Sequence, residues 1–167
     1  MKYDALRISF AAYEDRIFEW QKAIYSATTT LVHLLREELA PNPEMWSDAG
    51  RMRNYVEMRG LESEPDSKLT PHGVPDSLGP DNEFLARYTI WAESAADALG
   101  KQGLVTVIAI KMDGVTPRYA KWDVSGARTT TDWMTAEQCV QAICSGIEAY
   151  LSYDPATLNQ GRQIGFL

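Results

Sequence analysis

The chain has 167 residues and a formal net charge of −7, with 45% hydrophobic and 23% charged residues. Five Trp, eight Tyr and four Phe exclude a wholly disordered chain. The longest uncharged apolar run, Leu104 to Ile110, is far too short for a membrane span.

Residues 3–39 carry a helical pattern. Tyr3, Phe10, Ile17, Ile24 and Leu31 recur every seven residues, as do Leu6, Tyr13, Trp20, Ala27 and Leu34. Interleaved, the two series give the 3,4 spacing of a heptad seam. Ala11, Phe18, Tyr25, Val32 and Leu39 widen the apolar face. Pro41 and Pro43 end the pattern. An unbroken helix of this length would be roughly 55 Å long. A compact chain of this size has a radius of gyration of about 15 Å. The helix must therefore protrude, dimerise or break. Ser26-Ala27-Thr28-Thr29-Thr30 has weak helical propensity, so the expectation is one bent helix or two helices.

Residues 41–83 read as an acidic, Pro-rich irregular segment. Residues 37–83 hold eleven acidic and four basic groups, so the whole imbalance of −7 lies there. A nucleic-acid-binding surface needs a basic footprint, and none is present. The acidic stretch suits either solubility or the steering of a partner with a basic surface, with Glu62, Glu64 and Asp66 as its centre. Within the segment, Arg51 to Arg59 suggests an edge strand with Met52, Val56 and Met58 on one side. Residues 62–82 read as a loop.

Phe84 to Trp91 alternates as a strand, and Leu104 to Met112 is apolar enough to be a central one. A short helical turn is expected between them at Ala95 to Gly100. Asp113-Gly114 signals a hairpin turn into a third strand, Arg118 to Val124, whose Trp122 is expected on the inner face. The remaining charges on these strands, Lys121 among them, are expected on an exposed sheet face. A last helix should run from Thr135 to Tyr153. Thr135 with Gln138 forms its capping box, and Val140, Ile143, Ile147, Tyr150 and Leu151 lie on its inner stripe.

The fold class this predicts is α+β, in a single domain over 1–167. A long N-terminal helix, bent or paired, and a C-terminal helix pack on one face of an antiparallel sheet of three or four strands.

Chemistry-bearing motifs are sparse. His33 flanks the helix stripe, and His72 lies in the loop with no matched ligands, so no metal site is expected. Cys139 and Cys144 are five apart on different faces of a helix, which reads as reduced, packed thiols. Lys111-Met112-Asp113-Gly114 fits the K-x-D-G pattern of covalent nucleotidyltransferases, but a strand end and a hairpin turn explain the same four residues. No phosphate-binding glycine loop, dinucleotide fingerprint or nucleophile elbow occurs. No catalytic residue and no cofactor is expected.

Trp46, Trp91 and Tyr119, if they share a surface, make an aromatic patch suited to a partner. The functional expectation is a non-catalytic protein-interaction module, such as an inhibitor, immunity or accessory protein, able to homodimerise through the N-terminal helix. The alternative is a small-ligand or minor enzymatic domain with a pocket between helix and sheet. No secretory signal precedes Tyr3, so the expected setting is cytoplasmic, without membrane or nucleic-acid partners.

Overall fold

The computed structural model describes residues 2–40, 45–60, 83–93, 101–122, 132–152 and 165–166. Helix α1 spans Tyr3–Leu39 without interruption. The expected break at Ser26–Thr30 does not occur. The hydroxyls there turn inward on the helix's own carbonyls: Thr28 donates to Tyr25 O at 2.7 Å and Thr30 to Ser26 O at 2.9 Å. Their hydrogen bonding is satisfied without leaving the helical ladder, and Thr28 is itself buried. Asp4 in the first turn and Arg36 in the last complement the helix dipole. Ala40 closes the helix in the left-handed conformation, φ 42°, with its N–H on Arg36 O.

Where an irregular segment was expected, two short strands form a hairpin. β1 (Met45–Asp48) pairs with β2 (Arg51–Asn54). Ala49 and Gly50 connect them at φ 48° and 84°, the signs that a type I′ turn requires. The single edge strand expected over Arg51 to Arg59 is thus divided at Tyr55. Its second part, β3 (Val56–Gly60), is the edge of the main sheet.

The main sheet continues with β4 (Phe84–Glu93), β5 (Lys101–Asp113) and β6 (Thr116–Trp122), all antiparallel, in the order β3-β4-β5-β6. Between β5 and β6, Gly114 has φ 62° and occupies the first central position of a two-residue turn. The turn residues are therefore Gly114-Val115, one further on than Asp113-Gly114. Helix α2 (Ala136–Leu151) opens with the expected capping box of Thr135 and Gln138, but Leu151, expected on its inner stripe, is exposed at the helix's last turn. β7 (Gly165–Phe166) pairs with the part of β5 that β6 leaves uncovered. The expected turn at Ala95 to Gly100 lies outside the described residues.

Both helices pack on one face of this sheet. Ile24, Leu31 and Leu35 of α1 meet Phe84, Tyr88, Ile108 and Ile110 of the sheet and Val140 and Ile143 of α2 in one buried cluster. Two tyrosines pin α1 down. Tyr88 donates its hydroxyl to Thr28 O at 3.2 Å, and Tyr119 donates to Ala27 O at 2.9 Å, both fully buried. Leu85, Val107, Ala109, Ala120 and Trp122 form a second buried cluster on the opposite face. This corrects the orientation expected for β6. Tyr119 pairs with Ile110 and Lys121 with Ile108, so Tyr119 and Lys121 face the helices and Trp122 faces away. Alternation defines two faces but does not say which one a helix will cover when both carry apolar residues.

Ile108→Ala should cost about 2–5 kcal/mol in urea denaturation, because a fully buried side chain leaves a cavity. Tyr119→Phe should cost about 1 kcal/mol, since it removes only the hydroxyl that reaches α1.

Candidate functional site

The expected aromatic patch is partly assembled. Trp46 on β1 and Trp91 on β4 meet edge to face, with ring centroids 5.4 Å apart, and Tyr55 stands 6.4 Å from Trp46. Tyr119 is not among them: it lies on the helix side of the sheet, fully buried. Glu62, Glu64 and Asp66 lie outside the described residues, as does His72.

Arg53 organises the patch. Its guanidinium carbon sits 4.5 Å from the Trp91 ring centroid and 5.8 Å from that of Trp46. Nε and Nη2 donate to the two Glu57 oxygens at 3.1 and 2.9 Å, and Nη1 donates to Asp48 Oδ2 at 2.9 Å. The Glu57 fork raises the guanidinium's pKa most; burial opposes that, and Asp48 adds to the rise. Arg53 on β2 thus clamps the hairpin's Asp48 to the edge strand's Glu57. The arrangement uses the side chain's donors internally, and its evident work is to hold the β1–β2 hairpin against the sheet.

The helix side holds buried polar chemistry. Lys121 is buried and donates from Nζ to Ala142 O at 3.2 Å. Burial lowers its pKa, and Cys139 opposes that shift. Cys139 is fully buried, and burial pushes its thiol up to about 12. Cys144 is also raised, first by partial burial and then by Glu38 and Glu148. Both thiols are free. A thiol held protonated is a poor nucleophile. Between the helices and the sheet lies the buried cluster. His33 is exposed on α1. Among the described residues, no three His, Cys, Asp or Glu side chains come together as metal ligands, and no helix is long and apolar enough to cross a membrane.

Among the described residues, the most unusual surface is the first half of α1. Every residue from 3 to 19 is exposed. Burial begins at Trp20 and is complete at Ile24, Leu31 and Leu35. Tyr3 is 73% exposed, Phe10 57% and Tyr13 52%, although they continue the heptad seam that lower down packs on the sheet. Phe10 and Tyr13 already touch, at 6.4 Å between centroids. Ile8 and Phe18 add apolar surface beside the seam. A shallow depression here is lined by Asp4, Arg7, Ile8, Phe10, Ala11 and Glu14. Among the described residues one helix supplies its whole lining, so it does not enclose a small molecule. This 17-residue stem is about 25 Å long. The periodicity named its residues, but not that the sheet would cover only the C-terminal part. The one available signal was helix length set against domain size.

Comparison with protein-family models, with curated proteins and with solved structures finds no match to this chain.

Arg53→Ala should destabilise the protein by about 1–3 kcal/mol, since it removes the bonds to Glu57 and Asp48 and the guanidinium between the rings, and should quench or shift the tryptophan fluorescence. In the native state an alkylating reagent should modify Cys144 well before Cys139, and denaturant should abolish the difference.

Proposed function

We propose that this chain is a non-catalytic protein-interaction module, of the inhibitor, immunity or accessory kind, whose docking element is the exposed stem of α1. The observation that carries this reading is a preformed helix presenting Tyr3, Leu6, Phe10, Tyr13 and Ile17 to solvent along one seam. Contiguous apolar surface of this kind marks an interaction site rather than an ordinary monomer surface.

The stem is well suited to capture an apolar helical partner. A free helix of 17 residues is marginal in water because its first turn is costly to nucleate. Here the anchored half of α1 supplies the nucleus, so binding forfeits little conformational freedom. Tyr and Phe provide large contact area with few rotatable bonds.

Charge separates this surface from the alternatives. Residues 2–22 carry four basic and four acidic groups and are neutral overall. A lipid-binding amphipathic helix would instead carry a cationic polar face. The −7 imbalance lies elsewhere, between residues 37 and 83, so recognition at the stem is apolar. Steering of a basic partner by that acidic segment would be a separate, long-range contribution.

Phe10→Lys combined with Tyr13→Lys should abolish association while leaving the melting temperature close to that of the parent, because both side chains are exposed. Sedimentation of the purified chain, and size fractionation of complexes from the cells that make it, read the first effect. Calorimetry reads the second. Association should also weaken far less with added salt than recruitment through the acidic segment would. Complexes that survive the double substitution would exclude the stem.

A further inference from the structure

Resting on the stem as docking element, we propose that its occupant is the stem of a second copy of this chain, laid antiparallel. In that arrangement Tyr3 lies over Trp20 of the second copy, Leu6 over Ile17, and Phe10 over Tyr13.

The seam's own continuity dictates direction. The heptad positions exposed at Tyr3, Phe10 and Ile17 continue as Ile24 and Leu31, and those at Leu6 and Tyr13 continue through Trp20 to Ala27. Ile24, Ala27 and Leu31 are already buried in the cluster shared with the sheet. A parallel partner in register would have to lay its own residues 24–35 where that sheet sits. An antiparallel partner has no such conflict. Its helix begins at Tyr3, so in the proposed register it ends opposite Trp20, where burial by the body begins. The length of free seam and the length of partner helix therefore match.

The layers match as well. Antiparallel pairing opposes the two heptad series, which places aliphatic Leu6 on aliphatic Ile17 and aromatic Phe10 on aromatic Tyr13. Tyr3 then covers the part of Trp20 that the body leaves exposed. A twofold axis repeats each layer, as a closed dimer requires.

The flanking charges agree. In the antiparallel register Arg7 of one copy lies beside Glu14 of the other, twice by symmetry. Within one chain the two are seven residues, or about 10 Å of helix, apart and do not pair. Parallel pairing would instead set Lys2 beside Arg7 of the second copy, a like-charge contact. The neutral stem lets two copies meet although each chain carries −7 overall.

The test is charge exchange on the full-length chain, read by light scattering and sedimentation over a concentration series. The parent should show twice 18.7 kDa. Arg7→Glu alone and Glu14→Arg alone should each weaken the dimer roughly tenfold, and the double substitution should restore it. A chain carrying Leu6→Cys and Ile17→Cys should form an intermolecular disulfide between positions 6 and 17 on mild oxidation, mapped by peptide mass. Those positions are about 16 Å apart on one helix, too far for a bridge within a chain. Arg7→Glu that tightens the dimer, or a Leu6→Cys chain that crosslinks position 6 to position 6, would overturn the antiparallel register. A parent that stays at 18.7 kDa into the high micromolar range would overturn self-pairing. If Phe10→Lys with Tyr13→Lys still releases some other protein in that case, the stem remains the docking element and only its occupant is wrong.

Discussion

One helix is longer than the body that buries it, and the rest of the molecule is arranged around that mismatch. The sheet and α2 cover α1 only from Trp20 onward. The grip is polar as well as apolar. Tyr88 and Tyr119, from β4 and β6, place hydroxyls on consecutive carbonyls of α1, at Thr28 and Ala27. At the helix's C-terminal end the guanidinium of Arg36 donates to Val56 O on the edge strand at 3.1 Å. Three bonds along the anchored half leave little freedom for α1 to rotate or slide, so the stem's apolar seam points in a fixed direction.

The sheet carries a buried cluster on each of its faces. Its helix face holds the main core. Its other face buries Leu85, Val107, Ala109, Ala120 and Trp122, with Trp133 against them and Lys111 Nζ 4.1 Å from the Trp133 ring centroid. At the β3 side the hairpin and the Arg53 clamp fold against the sheet. An arginine shared between two tryptophan rings and two carboxylates suits an edge, because it closes the margin with groups that still tolerate water.

Elements whose signals are local were legible in the sequence. Thr135 and Gln138 marked the start of α2 because a capping box is complete within four residues. β4 was legible from its alternation, and β5 from a β-branched apolar run that ends at a hairpin turn signal. The β1–β2 hairpin was not, because its turn puts Ala49 in a left-handed conformation that composition gives no reason to expect. Facing was the other illegible property. Tyr119 belonged to an aromatic patch only if it shared a face with Trp91, and the β5–β6 register places it on the opposite one. The Trp46–Trp91 contact, in contrast, needed only the hairpin to lie beside the β3 edge. The stem was half legible: its periodicity was plain, and what the sheet left uncovered required the sheet.

The tyrosine contacts also set an order of events during synthesis. They join residues 60 and 92 positions apart, and α1 comes first in the chain. At roughly 5–20 residues per second, a ribosome needs on the order of 4–16 s to pass from the end of α1 to the end of β6. For that interval the sheet residues that bury Ile24, Leu31 and Leu35 are not all yet made. Translation of β4 to β6 is therefore the step that supplies the cover for the C-terminal part of the α1 strip and leaves the stem exposed.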